Sequence, residues 1–307
     1  MSRAFKVGTR GSPLALAQTE EALARLRVAR PDVAFETAVI KTHGDEDYRK
    51  DLGTPLDGKR AFTKRIEDAL LAGRIDFAVH SLKDLPTDLA DGLVIASIPP
   101  RGDPRDLFVA NDGIQFDRLR AGTRVGTSSL RRRAQFLARW PGLQVVELHG
   151  NVGTRLRRLD AREFDAVVIA AAGLHRLNIR HEAAEPLSPD VMTPAPGQGA
   201  LALEARADDK ATRELLEAVD DPLSRIATQA ERALSARIGG SCNVPLGALA
   251  SIDGDSMTLR AVVASPDGRN VVRTVESGPS GKWPRVVDDS VADLVDRGAR
   301  DLLRRVA

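Results

Sequence analysis

The apolar positions of this chain switch repeatedly between the period of a strand and that of a helix. Phe5-Lys6-Val7-Gly8-Thr9 alternates as a strand, and Arg10-Gly11-Ser12-Pro13 then leads into an amphipathic helix over residues 14–27. Ser12 is placed to cap that helix and Pro13 to open it. The same sequence of signals recurs twice. Residues 124–126 read as a strand, Thr127-Ser128-Ser129 as a capping turn and 130–140 as a helix; residues 143–148, His149-Gly150-Asn151 and 152–161 repeat the order. Helices over 62–71 and 152–159 each run through a short polar turn into an apolar strand, over 75–79 and 164–168. This internal echo predicts two α/β domains of related construction, with mostly parallel sheets. Ligands of such sheets sit at the C-terminal ends of the strands, and a cleft between two such domains is the expected site.

After about residue 221 the texture changes. A helix over 222–238, strands over 248–252, 257–264 and 270–275, and a final helix over 282–306 predict a smaller α+β module with an antiparallel sheet. Residues 43–58 are polar and lack a period, which predicts a mobile surface loop, a lid or a plain disordered loop alike. With 307 residues the chain exceeds the usual size of a single core, so two or three domains are expected. The boundaries follow the texture: residues 1–99 with 200–219, then 100–199, then 220–307. No apolar stretch approaches the roughly 20 residues of a membrane helix. The first residues lack the apolar run of a signal peptide, so a cytoplasmic protein is expected.

Charge narrows the partners. There are 45 basic and 43 acidic residues, a net charge of +2, and aromatics make up 4%. Near-neutrality and scarce aromatics speak against nucleic acid as a partner. The basic residues cluster locally, at Lys59, Arg60, Lys64 and Arg65, at Arg131-Arg132-Arg133, and at Arg155, Arg157 and Arg158. Each of the last two clusters adjoins a predicted helix N-terminus, where free N–H groups and the helix dipole favour anions. A solvated helix face explains any one cluster alone; the recurrence points to a small polyanionic ligand.

Two segments carry candidate chemistry. Cys242 is the only cysteine, set in Gly239-Gly240-Ser241-Cys242-Asn243-Val244-Pro245, and no histidine lies within sixty residues of it. It can therefore be an inert thiol, a nucleophile with a distant base, or an attachment point; no metal site is expected. His80-Ser81-Leu82-Lys83-Asp84-Leu85-Pro86 follows a buried strand, so Lys83 and Asp84 fall where a cleft should open. Alone, the heptapeptide is equally a turn with a paired aspartate.

Six segments together resemble one family: Thr9-Arg10-Gly11-Ser12-Pro13-Leu14-Ala15, His80 to Pro86, Gly126-Thr127-Ser128-Ser129-Leu130-Arg131-Arg132, Gly150-Asn151-Val152-Gly153-Thr154-Arg155-Leu156, Pro194-Ala195-Pro196-Gly197-Gln198-Gly199-Ala200 and the Cys242 loop. The chain is similar to the porphobilinogen deaminases over nearly its whole length. The resemblance implies two domains of the type II periplasmic-binding-protein fold with mostly parallel sheets, and a small α+β C-terminal domain. It implies a transferase of haem biosynthesis that condenses four porphobilinogen molecules onto a dipyrromethane cofactor and releases hydroxymethylbilane. On this resemblance Cys242 holds the cofactor by a thioether and Asp84 is the catalytic aspartate. Arg10, Ser12, Lys59, Lys83, Thr127, Ser128, Ser129, Arg131, Arg132, His149, Gly150, Arg155, Arg176 and Gln198 match positions that bind cofactor and substrate, or lie beside them. His149 stands where members carry an arginine. A monomer with no nucleic-acid or membrane partner is implied. The alternative is a small-anion solute- or effector-binding protein of the same fold.

Overall fold

The computed structural model describes residues 4–41, 60–239 and 244–304; Cys242, Lys59 and the loop expected over 43–58 lie outside the described residues. In chain order the first elements are β1 (Phe5–Thr9), α1 (Pro13–Ala29), β2 (Phe35–Val39), α2 (Arg60–Leu71), β3 (Phe77–Ser81), β4 (Leu93–Ser97) and β5 (Asp106–Ala110). There follow β6 (Arg124–Gly126), α3 (Leu130–Arg139), β7 (Gln144–Val146), α4 (Val152–Asp160), β8 (Ala166–Ala170), α5 (Ala171–Arg176) and β9 (Ala184–Pro186). The last are β10 (Leu201–Arg206), α6 (Lys210–Glu217), α7 (Pro222–Ile238), β11 (Leu246–Asp253), β12 (Ser256–Ala264), β13 (Val271–Pro279), α8 (Trp283–Asp296) and α9 (Ala299–Arg304).

By contact the chain divides into two units, one of Met1–Gly102 with Gly199–Arg225, the other of Asp103–Gln198 with Ile226–Ala307. Unit one holds a sheet of order β2-β1-β3-β10-β4. Strands β2, β1 and β3 are mutually parallel, and β10 pairs antiparallel to both β3 and β4. Four strands therefore run one way and β10 alone runs back. Unit two holds β7-β6-β8-β5-β9 with the same pattern of directions, β5 being the reversed strand. The internal echo is thus a repeat of topology. Each is a mixed, mostly parallel α/β sheet. A second sheet in unit two, the antiparallel β11-β12-β13, packs apolar residues against α7, α8 and α9.

Local chemistry explains the repeat. An aspartate precedes β3 and another precedes β8, each bonded to the start of the parallel neighbour, β1 or β6: Asp76 accepts from Lys6 N at 2.7 Å, and Asp165 accepts from Arg124 N at 2.7 Å. These contacts occupy the entry turns, so ladder pairing begins later than the apolar runs suggest. Strands expected over 75–79 and 164–168 are found two residues on, as β3 and β8. The final helix expected over 282–306 is two helices, α8 and α9. Gly298 lies at φ +85°, a left-handed conformation that closes a helix and that other residues adopt at a cost. Among the described residues no helix is long and apolar enough to cross a membrane.

Candidate functional site

The β3 strand delivers the aspartate turn. Past Ser81 the chain makes one 3-10 turn, Leu82–Asp84. Leu82 and Leu85 are buried in a cluster with Ile98, Ala200 and Ala202. Leu82 N donates to Ala200 O at 3.0 Å, and Leu85 N to Leu82 O at 3.1 Å. Two apolar anchors thus clamp the pair between them, leaving Lys83 and Asp84 partly exposed. Asp84 lines a small cavity of about 60 Å³ together with Arg10, Ser12, Gln18, Thr63, His80 and Ser81. The N-terminus of α1 borders it as expected: Ser12 Oγ accepts from Ala15 N at 3.2 Å, and Pro13 opens the helix. Serving as acceptor leaves the Ser12 hydroxyl proton available to a ligand. Gln18 Nε2 donates to Ser81 Oγ at 2.6 Å, tying α1 to the end of β3. Unit one therefore brings Arg10, Ser12 and Asp84 together, with Lys83 adjoining.

In unit two the remaining residues gather at the C-terminal ends of β6, β7 and β8. Thr127 is buried; its N–H donates to Val146 O at 2.9 Å and its hydroxyl accepts from Ser129 N at 3.1 Å. Ser128 is exposed at the bend, and Ser129 caps α3. Asn151 caps α4, accepting from Thr154 N at 2.8 Å. Gly150, at φ +110°, makes the turn before it, where a Cβ would meet the Thr154 side chain at 2.9 Å. Arg155 Nε donates to Gly150 O at 2.8 Å, and His149 Nε2 lies 2.7 Å from Glu147 Oε1 on the surface. Arg176 is the last residue of α5, half-buried.

Arg131 and Arg132 point elsewhere than their place at the start of α3 suggests. Both are 5% exposed, and both guanidiniums converge on Asp106, at 2.8 Å and 2.7 Å. Arg131 also donates to Thr193 O at 2.7 Å and Arg132 to Val168 O at 2.9 Å. Gln198 Nε2 completes the shell, donating to Asp106 Oδ1 and to Pro104 O, each at 2.8 Å. Burial pushes the Asp106 carboxyl up, but the two guanidinium charges and the hydrogen bonds from Arg132 and Gln198 outweigh it and hold the group well below the usual carboxylate range. Two cations share one anion, so this buried trio keeps a net positive charge behind the Ser129 turn. Sequence reasoning missed Asp106, because a single acid at the start of an apolar strand looks like a turn residue. It missed Gln18 and Thr63, which read as ordinary helix positions, and Glu204, a lone polar residue inside an apolar strand.

The trio predicts an acid-stability effect. A carboxyl depressed in the folded state stabilises fully above its unfolded value of about 3.9, and loses that contribution as pH falls through the folded value. Asp106→Asn should therefore cost about 3–5 kcal/mol at neutral pH, as expected for breaking a buried pair. The gap from the parent in urea midpoint should persist through mild acid and narrow only below the usual carboxylate range. Equal midpoints at pH 6 would show that the trio adds nothing net.

Unit one thus presents an aspartate pinned past β3, and unit two presents two capped helix starts of the kind that favour anions. Residues 5–214 match the family model described as "Porphobilinogen deaminase, dipyromethane cofactor binding domain", and residues 226–284 match "Porphobilinogen deaminase, C-terminal domain". The chain belongs to the porphobilinogen deaminase family. A porphobilinogen deaminase of Roseiflexus sp. (strain RS-1) is 46% identical over 304 residues, covering 99% of this chain and 99% of the relative. One from Desulforudis audaxviator is 46% identical over 307 residues, 100% of this chain and 99% of its own. One from Brevibacillus brevis is 44% identical over 304 residues, 98% of this chain and 97% of its own.

Proposed function

We propose that this chain joins four porphobilinogen molecules head to tail, with loss of ammonia, and releases hydroxymethylbilane by hydrolysis. Asp84 is the group on which the reading rests most: a carboxylate clamped between Leu82 and Leu85 at the edge of a small polar cavity. Loss of ammonia leaves a cation on the substrate pyrrole. A fixed anion that accepts the pyrrole N–H stabilises that cation with little reorganisation.

The donor set fits a dipyrromethane. Such a group carries pyrrole N–H donors and several carboxylates. In unit one, Asp84 accepts the N–H groups while Arg10, Lys83 and the Ser12 hydroxyl meet carboxylates. In unit two, the N-termini of α3 and α4, with Ser128, Ser129, Gly150, Arg155 and Arg176, offer further anion contacts. Arg131 and Arg132 act from behind that surface as fixed positive charge, oriented by Asp106 and Gln198; Thr127 holds the turn. His149, exposed after β7, and Lys59, assigned on the family resemblance alone, complete the same reading. When bound, the cofactor supplies the ring to which the first substrate is joined, and Cys242 is its attachment point.

Three domains suit this assignment, with 220–307 as the one carrying Cys242. The two family models break between residues 214 and 226, in support of that division. We further propose a cytoplasmic monomer, a compartment in which a lone thiol stays reduced. Intact mass of the purified, denatured protein tests the central reading. The expected mass exceeds that of the 307-residue chain by two pyrrole units; an unmodified mass with tight binding of small anions would indicate a binding protein instead.

A further inference from the structure

A second pair of ionisable groups adjoins the Asp84 cavity. His80 is on β3 and Glu204 on its antiparallel neighbour β10, where Glu204 faces Ala78 and Ala202 faces His80. Because side chains alternate along a strand, Ala78 and His80 share a face, and Glu204 shares it with them. The two side chains meet diagonally: His80 Nε2 is 3.1 Å from Glu204 Oε2, at 5% and 0% exposure. The contact is off the line of a hydrogen bond, and Nε2 and both carboxylate oxygens are buried with no hydrogen-bond partner among the described residues. A buried acid left in that condition is costly, and the folds that keep one have a use for it. His80 lines the cavity that Asp84 lines, Glu204 stands behind it, and Thr63 Oγ1, also buried and without a partner among the described residues, lines the same cavity. A polar cavity of about 60 Å³ has room for water, and so for a proton path.

We propose that His80, backed by Glu204, takes up the proton that each ring-joining step sheds, an assignment that rests on the reading of Asp84 as the cation-stabilising group. The two tasks conflict in one residue. Asp84 cannot accept a proton without losing the charge that steadies the cation, whereas a histidine with a buried carboxylate behind it can. The step balances as follows. The C–N bond of the aminomethyl arm, in its ammonium form, breaks, and its electron pair leaves with ammonia. The new C–C bond forms, one ring C–H bond breaks, and that electron pair restores the aromatic ring. The remaining proton moves to the imidazole of His80, beside the Glu204 carboxyl. The departing ammonia then carries it away as ammonium. Arg10 and Asp84 face the same cavity, and Lys83 adjoins it.

The test compares the holoenzyme with His80→Gln, Glu204→Gln and the double variant, reading melting temperature, cofactor mass and turnover. His80→Gln leaves the buried Glu204 carboxyl without the ring packed beside it, and Glu204→Gln removes that acid, so the double variant should melt no lower than that single variant. Turnover should nonetheless fall by about 10²–10⁴ in both, with the cofactor mass retained. Substrate deuterated at the ring carbon that loses its hydrogen should react more slowly than ordinary substrate by a larger factor than in the parent, because proton removal has become limiting. If His80→Gln does not fold, Glu204→Gln and the double variant carry the comparison. Recovery of both stability and turnover in the double variant would make the pair structural and overturn the proposal. An isotope ratio unchanged from the parent, despite slow turnover, would overturn it equally. An active Asp84→Asn enzyme would instead overturn the reading of Asp84, a separate result from the isotope comparison.

Discussion

Cys242→Ser should yield a folded protein that carries no dipyrromethane and has no measurable turnover. A serine hydroxyl is a far poorer nucleophile than a thiolate, so the thioether does not form. Without the attached primer there is no ring on which to start the chain. The fold itself should survive, since the described cores of both units are built from residues elsewhere. Intact mass and the pyrrole colour reaction after denaturation read the result directly. A serine variant that still shows the colour would rule out Cys242 as the attachment point.

Asp84→Asn should keep its cofactor and lose most of its activity. The substitution preserves shape and leaves Leu82 and Leu85 to hold the turn, so the melting temperature should change little. What disappears is the charge opposite the substrate cation, and removal of one such contact lowers kcat by about 10²–10³. The Michaelis constant should move less, because the interaction strengthens only as the cation develops. Near-parental kcat with a lowered melting temperature would make Asp84 a turn residue and nothing more.

Much of the local architecture was legible in the order of residues. Ser12-Pro13, Ser129 and Asn151 mark helix starts that the structure places as expected, because a cap needs only a side-chain oxygen and the next few N–H groups. Helix 222–238 is found with those bounds, its apolar stripe being long and regular. Strand edges were less legible. Asp76 and Asp165 look like ordinary residues of apolar runs, and only their bonds to Lys6 and Arg124 reveal them as entry turns. The break at Gly298 is not legible locally, because one glycine inside a helical pattern is tolerated as often as it terminates.

The site divides along the same line. The aspartate turn, the capped helix starts and the solitary cysteine are each written in a few consecutive residues, so the sequence alone identified the family and the candidates Asp84 and Cys242. The orientation of Arg131 and Arg132 is not written there. It depends on Asp106, Val168, Thr193 and Gln198, contributed by separate stretches of chain that sheet pairing brings within hydrogen-bonding distance. The His80–Glu204 contact likewise exists only because β10 inserts antiparallel beside β3, setting two distant residues on one face. Caps and turns are short-range and can be read locally, whereas a buried charge takes its partner from whichever strand the topology lays beside it.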